Sequence, residues 1–227
     1  MTTAAAATMD DEQASYHSTR LAPSATRRAV WRHVGAYLQP YIPSDGRVLD
    51  LAAGYGDFSA SIEAREIVAV DLFPELADHV PAHVEAIVGD ATDLARFEDA
   101  VFDVVFASNF LEHLDWPDID RLMAGVVRVL RPGGRFIVVQ PNFRLQPGAY
   151  FDDYTHRTNF TDRSIRDYLV VQGFDIERIE PRFLPLTLRS RLSWGHRLVP
   201  LYLKLPYRPL AGQMLVVARR GGADVAR

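Results

Sequence analysis

The sequence of 227 residues contains no cysteine. This absence excludes disulfide bonds, thiolate metal sites and catalysis by a cysteine nucleophile. Its formal net charge is only −4, so no overall positive field attracts nucleic acid, and we predict no nucleic-acid partner. The sequence also lacks a signal-peptide pattern and the run of about 18 apolar residues that a membrane-spanning helix needs. We therefore expect a cytoplasmic protein without membrane contact, whose reactive groups are oxygen and nitrogen side chains.

Composition divides the chain into segments around one core. Hydrophobic residues make up 48% of the chain, which is enough for a single domain of this length. Residues 1–15 are rich in alanine, threonine and acidic residues and are predicted to be a disordered leader. Residues 16–45 are predicted to form an N-terminal helical lid, with its helix over Ala25–Leu38. Residues 46–220 are predicted to form the main domain.

The main domain alternates short β-rich runs with helical or turn segments. The runs at 102–108 and 135–140 are continuously apolar, which is typical of strands covered by helices on both faces. We therefore predict an α/β fold with a parallel sheet. A helix capped by Thr161 and ended by Gly173 is expected in the second half. The predicted strands cover residues 47–51, 67–70, 85–88, 102–108, 135–140, 174–179 and 214–218.

The first strand runs directly into a turn of small residues, DLAAGYG, from Asp50 to Gly56. Such a turn lets the backbone approach a ligand closely. Asp71 ends the next strand, close to the offset of about 20 residues at which a carboxylate meets a ribose diol in Rossmann folds. The two features together indicate a nucleoside ligand.

The turn differs from the fingerprint of dinucleotide-binding proteins. Aligned on Gly54, that fingerprint needs glycines at the positions of Ala52 and Asp57. Asp57 would repel a pyrophosphate, whereas Asp50 suits a cationic amine. These charges favour a cofactor with a zwitterionic amino-acid tail.

At this point the sequence resembles the class I S-adenosylmethionine-dependent methyltransferases, because five of their motifs occur in the right order. The resemblance implies a Rossmann-like sheet of order 3-2-1-4-5-7-6, with strand 7 antiparallel and helices on both faces. The motifs are DLAAGYG at 50–56, Val70-Asp71, Gly89-Asp90-Ala91, FDVV at 102–105 with Asn109 and Glu112-His113-Leu114, and LRPGG at 130–134.

The resemblance also implies which residues bind S-adenosylmethionine. The glycine turn would hold the methionine moiety, Asp71 the ribose hydroxyls, and Asp90 with the Ala91 amide the adenine edge. Leu72 or Phe110 could flank the purine. The predicted cofactor residues are Asp50, Ala52, Gly54, Gly56, Asp71, Leu72, Gly89, Asp90, Ala91, Asn109 and Phe110.

Two histidines are candidates for the base that a hydroxyl acceptor requires, because methyl transfer to oxygen needs an aligned acceptor whose proton is removed. His156, in a polar and aromatic loop after strand five, is the first choice, with Asp152 or Asp153 orienting it. His113 is the second choice, and it could instead cap a structural turn. The aromatic residues Trp116, Tyr150, Phe151 and Tyr154 could present flat faces to a sugar or an aromatic ring.

These residues predict an O-methyltransferase that acts on a hydroxyl of a sugar, glycan or related small molecule. Similar loops with a histidine ahead of Phe-Thr occur in bacterial methyltransferases of glycan and natural-product pathways. Methylation at nitrogen or carbon of a small metabolite, and a non-catalytic cofactor-binding protein, remain as alternatives.

Two further features leave their roles open. Asp115, Asp152, Asp153 and the two histidines offer donors that can hold Mg²⁺ as an additional cofactor, although their spacing defines no metal site. Residues 181–212 form an insertion rich in leucine, proline and arginine. This insertion could cover the acceptor site, form the contact of a homodimer or lie on a membrane surface.

Overall fold

The computed structural model describes residues 23–185 and 195–221, which form a seven-stranded sheet of order β3-β2-β1-β4-β5-β7-β6. Strand β7 is antiparallel to β5 and β6, and the other neighbouring strands are parallel. The predicted fold is confirmed, and the predicted leader at 1–15 lies outside the described residues. The strands are β1 (Arg47–Leu51), β2 (Glu66–Asp71), β3 (Val84–Val88), β4 (Phe102–Ser108), β5 (Leu130–Pro141), β6 (Phe174–Glu180) and β7 (Gln213–Arg220).

Three of the described α-helices begin after a residue whose side chain caps the helix. Ser24 caps the first helix and accepts a hydrogen bond from the backbone N–H of Arg27. Thr161 and Ser164 form a capping box at the fourth helix, and Gly173 follows it with φ +88°. The helices are α1 (Ala25–Leu38), α2 (Leu76–His79), α3 (Trp116–Val129), α4 (Asp162–Val171) and α5 (Val199–Lys204).

Helices cover both faces of the sheet, so its central strands have apolar side chains on both sides. In β4, Val105 and Ala107 belong to the core layer under α3 and α4. The alternating residues Val104 and Phe106 belong to the other layer, under α1. This two-sided burial explains why the strand sequences are continuously apolar.

Helix α1 packs closely against the segment that follows the glycine turn. A Cβ atom at Gly35 would overlap the carbonyl oxygen of Ser61, so only glycine allows this approach. The Trp31 ring meets the rings of Phe58 and Phe106 edge-on, with centroids 6.2 and 5.9 Å apart. The structure therefore fixes α1 beside the predicted cofactor site.

The described part of the 181–212 insertion packs on α1 and on the end of β6. Arg208 is buried, forms an ion pair with Glu180 and donates a hydrogen bond to the Tyr37 hydroxyl at 3.1 Å. Tyr37 in turn donates to Glu180 at 2.6 Å. Residues 186–194 lie outside the described residues. In the described part of the chain, no helix is long and apolar enough to cross a membrane.

Candidate cofactor and acceptor site

The glycine turn after β1 has an unusual backbone. Ala52, Gly54 and Gly56 have φ values of 53°, 56° and 64°, which favour glycine. A Cβ at Gly56 would also overlap the Val80 side chain. The turn is followed by a short 3₁₀ helix, at Ser59–Ser61, and not by an α-helix. Few residues separate the turn from β2, so there is little room for an α-helix.

Asp71 joins the turn to the end of β2. One carboxylate oxygen of Asp71 accepts from the Gly54 backbone N–H at 2.7 Å, and the other accepts from Phe73 at 2.8 Å. The Asp71 carbonyl accepts from the Gly89 N–H at 2.9 Å. Each carboxylate oxygen can accept from more than one donor, so this arrangement fits a ribose diol as a further partner.

Asp50 lies beneath the turn rather than at its surface. It is buried and accepts a hydrogen bond from the Ser59 hydroxyl at 2.6 Å. Burial raises the pKa of Asp50 to about 7, although the Ser59 hydrogen bond works in the opposite direction. In this arrangement Asp50 supports the turn from inside. Its predicted contact with the cofactor amine stays a prediction.

The charge that we assigned to the end of the turn is compensated. Arg27 and Arg28 of α1 form ion pairs with Asp57 at 2.6 and 3.4 Å, and the Arg27 guanidinium lies over the Tyr55 ring at 5.2 Å. The argument that Asp57 would repel a phosphate is therefore wrong, because α1 supplies two neutralising cations. The distinction from dinucleotide-binding proteins rests on the glycine positions alone.

The buried Asp50 predicts a pH-dependent stability. The folded protein keeps the Asp50 proton up to about pH 7, whereas an aspartate in the unfolded chain loses it near pH 4. Between these values the folded state holds more protons, so this group lowers the free energy of unfolding as pH rises. Asparagine does not titrate, so the free energy of unfolding of Asp50→Asn should rise relative to that of wild type when the pH is raised from 5 to 8. The expected rise is a few kcal/mol, at about 1.4 kcal/mol per pKa unit. Urea unfolding of both proteins at pH 5 and pH 8 measures these free energies. An equal difference between variant and wild type at the two pH values would contradict the prediction.

The remaining predicted cofactor residues lie at the ends of β2, β3 and β4. Asp90 is exposed, and one of its oxygens accepts from both the N–H and the hydroxyl of Thr92 at 2.8 Å. Asn109 has φ 49°, and its side-chain oxygen accepts from Gln213 at 2.9 Å. Ala91 is buried, Phe110 is half-buried and Leu72 is exposed. Their contacts with a cofactor remain predictions.

A second group of polar residues forms where the loop after β5 folds onto the turn after β4. The backbone N–H groups of Arg157 and Thr158 donate to the Glu112 carbonyl at 2.8 and 3.1 Å. The Tyr150 hydroxyl donates to the Thr158 carbonyl at 2.7 Å, which holds the loop in place. These contacts bring the rings of His113 and His156 together, with their centroids 5.0 Å apart.

Different partners orient the two imidazoles. Nδ1 of His156 donates to the Tyr150 carbonyl at 2.6 Å. Nδ1 of His113 lies 2.9 Å from the Thr155 hydroxyl, which donates its proton to Asp153 at 2.6 Å. Because a hydroxyl has one proton, Thr155 must accept from His113. We expected Asp152 or Asp153 to orient His156, but Asp153 is connected to His113 through Thr155.

The electrostatics of this group follow from its burial. Burial and, secondarily, the neighbouring His156 lower the pKa of His113 to about 4. Hydrogen bonds from Thr155 lower the pKa of Asp153, although burial acts in the opposite direction. Both groups are therefore in their deprotonated forms near neutral pH, with His113 neutral and Asp153 charged.

The sequence did not reveal the role of Glu112, which we treated only as part of a motif. It is 1% exposed, and neither of its carboxylate oxygens has a hydrogen-bond partner in another residue of the described ranges. Burial raises its pKa to about 8. The available signal was an acidic residue next to a histidine, directly after a buried strand.

The aromatic residues near this group differ in exposure. Tyr150 is buried, whereas Phe151 and Tyr154 are exposed. Trp116 is half-exposed and packs edge-on against Phe160 and Tyr168, with centroids 5.4 and 5.6 Å apart. The rings that can contact a ligand are therefore those of Phe151, Tyr154 and Trp116. Tyr150 instead stabilises the loop through its hydrogen bond to Thr158.

The structure does not assemble the donors that we considered for Mg²⁺. Within the described ranges, the one group of three suitable side chains is Glu112, His113 and His156, whose ligand atoms lie within 4.8 Å of one another. Asp115 instead caps α3 by accepting from the Asp118 N–H at 3.1 Å. Two imidazoles and one carboxylate differ from the oxygen-rich set that Mg²⁺ prefers, so Mg²⁺ is not supported.

Comparison with known proteins agrees with this fold. Residues 49–138 match a family model described as a methyltransferase domain. The chain is 31% identical over 179 residues to malonyl-[acyl-carrier protein] O-methyltransferase of Methylococcus capsulatus, covering 71% of this chain and 63% of the relative. It is 33% identical over 145 residues to demethylmenaquinone methyltransferase of Clavibacter sepedonicus, covering 59% of this chain and 56% of the relative. The chain thus spans less than two thirds of these relatives.

A solved structure shows the same architecture. A methyltransferase from Archaeoglobus fulgidus, described as dependent on S-adenosylmethionine, superposes with a TM-score of 0.64 at 21% identity. The match covers 90% of this chain and 97% of that one. In its strand order and in the matched domain model, the chain is thus similar to S-adenosylmethionine-dependent methyltransferases.

Proposed function

We propose that this protein transfers the methyl group of S-adenosylmethionine to a hydroxyl oxygen of a small molecule. The observation that carries the proposal is the oriented pair His113 and His156 at the sheet edge that also bears the glycine turn. Leu51 of β1 pairs with Ala107 of β4, so the two turns leave neighbouring strands, about 4.8 Å apart, in the same direction. Ligands of open α/β sheets bind at this edge.

The cofactor would be held by the residues around the glycine turn. Asp71 would accept hydrogen bonds from the ribose hydroxyls, and the turn from Asp50 to Gly56 would enclose the amino-acid tail. Asp90 and the Ala91 amide would bind the adenine edge. When bound, S-adenosylmethionine supplies a methyl group on a sulfonium, so that the acceptor C–O bond forms as the C–S bond breaks.

One of the two histidines would accept the proton of the acceptor hydroxyl. Since each Nδ1 donates to an oxygen, Nε2 is the nitrogen that can take a proton from a hydroxyl. The lowered pKa of His113 keeps its ring neutral near pH 7, which is the form that a base requires. Thr155 and Asp153 act through His113 and are positioning residues.

A pair of histidines that can accept a proton favours a hydroxyl acceptor over a carboxylate. A carboxylate is already deprotonated at neutral pH and needs no base. The relative from M. capsulatus is named for malonyl-[acyl-carrier protein], and the one from C. sepedonicus for demethylmenaquinone. We propose a sugar, a glycan or a related polyhydroxylated molecule as the acceptor, since Phe151, Tyr154 and Trp116 offer rings on which such a molecule could pack.

The direct test is transfer of a labelled methyl group to a panel of sugars, phenols, amines, a malonyl thioester and demethylmenaquinone. We expect transfer to a hydroxyl compound, with a rate that needs the deprotonated form of a base. Transfer only to the malonyl thioester, to carbon or to nitrogen would replace the hydroxyl proposal. Cofactor binding without transfer to any compound would favour a non-catalytic cofactor-binding protein.

A further inference from the structure

We propose that Glu112, His113 and His156 form a binding site for one divalent transition-metal ion. The three side chains come from two segments, the turn after β4 and the loop after β5, and their ligand atoms lie within 4.8 Å of one another. The inference concerns metal binding, which does not depend on the identity of the acceptor. A nitrogen that binds a metal cannot also accept a proton, so the proposed base role of the two histidines belongs to the metal-free protein.

Glu112 is the strongest indication of a cation-binding site. A buried carboxylate without a hydrogen-bond partner is costly, and such groups in folded proteins are normally paired or bound to a metal. Glu112 is 1% exposed, and no other described residue is hydrogen-bonded to either of its carboxylate oxygens. A divalent cation between Glu112 and the two imidazoles would give this carboxylate the partner that the other described residues do not provide.

The histidines have the surroundings of metal ligands. A histidine that binds a metal through one ring nitrogen usually donates its other N–H to a carbonyl or carboxylate, which fixes the ring. His156 donates to the Tyr150 carbonyl at 2.6 Å. His113 donates to Thr155, which is linked to the Asp153 carboxylate. In both rings Nε2 is thus the nitrogen assigned to the metal.

The donor types determine the class of metal. Two imidazoles with one carboxylate suit Zn²⁺, Fe²⁺ or Co²⁺, whereas Mg²⁺ prefers oxygen ligands and water. Bonds of about 2.1 Å from a metal place neighbouring ligand atoms roughly 3–4 Å apart, so the group would contract slightly on binding. A bound ion would tie the loop after β5 to the turn after β4.

The test is a titration of chelator-treated full-length protein with Co²⁺, followed by its visible absorption, and with Zn²⁺, followed by calorimetry. We expect one ion per chain in wild type. Glu112→Gln, His113→Gln and His156→Gln should each weaken binding at least tenfold. The matched control His83→Gln, at an exposed histidine before β3, should bind as wild type does. Thr155→Val should weaken binding less than the ligand variants, because Thr155 only orients His113.

Circular dichroism melting establishes whether each variant is folded. If a change at the buried Glu112 prevents folding, His156→Gln is compared with wild type instead, because His156 lies in a surface loop. The proposal is overturned if wild type binds neither Co²⁺ nor Zn²⁺, if the ligand variants bind as tightly as wild type, or if only Mg²⁺ binds. S-adenosylmethionine binding and methyl transfer are measured separately, so failure of the metal site is distinguishable from failure of the proposed reaction.

Discussion

Replacement of Asp71 by alanine is expected to weaken S-adenosylmethionine binding by at least 100-fold. The change removes the carboxylate that would accept both ribose hydroxyls, and hydrogen bonds to a charged group contribute about 1.5–3 kcal/mol each. It also frees the Gly54 N–H, which Asp71 holds at 2.7 Å, so the glycine turn loses an anchor. Isothermal titration calorimetry of the two proteins measures the difference in Kd.

The matched control is Asp175→Ala, which removes an exposed aspartate from β6 and should leave the Kd unchanged. Asp90→Ala should weaken binding less than Asp71→Ala, because Asp90 is exposed and already holds Thr92. Equal affinities for wild type, Asp71→Ala and Asp90→Ala would refute the cofactor site.

The second large effect concerns the histidines. His113→Ala and His156→Ala should each lower kcat by about 100-fold or more, in the range that loss of an acid–base group produces. The Kd for S-adenosylmethionine should stay within about threefold, since neither ring contributes to the glycine turn. Single-turnover assays with a panel compound that the wild-type protein methylates measure the catalytic effect. Calorimetry measures the Kd for S-adenosylmethionine separately.

Substitutions of Thr155 test whether His113 has a catalytic role that depends on its orientation, or only a structural role. Thr155→Val removes the hydroxyl between His113 and Asp153 and should lower kcat about tenfold, with a shifted pH–rate profile. Thr155→Ser keeps the hydroxyl and should restore both. A His113→Ala enzyme with wild-type kcat would instead favour the structural role for this residue, as the cap of a turn.

The fold and the cofactor motifs were predictable because their signals are local. Continuous apolar runs identify buried strands, and Thr161 and Gly173 mark the two ends of a helix within a few residues of where they occur. Helix α1 has the predicted bounds. The order of the five motifs then implied the strand order, which the structure confirms.

The electrostatics of the site were not predictable, because they depend on residues far apart in the chain. Arg27 neutralises Asp57 across thirty positions, and Thr155 reaches His113 across forty-two. No local pattern predicts which loop residue will face which turn, so the link from Asp153 through Thr155 to His113 was not foreseen. The described part of the insertion likewise proved to pack on α1.

The absence of cysteine determined from the sequence alone that any metal in this protein must be held by oxygen and nitrogen. Which oxygen and nitrogen atoms meet was decided only by the tertiary structure. Glu112 and His113 are neighbours in sequence, but His156 joins them because the loop after β5 hydrogen-bonds to the Glu112 backbone. Packing buries the Glu112 carboxylate without a hydrogen bond to any other residue that the structure describes. Such burial is a property of the packed fold rather than of a sequence motif.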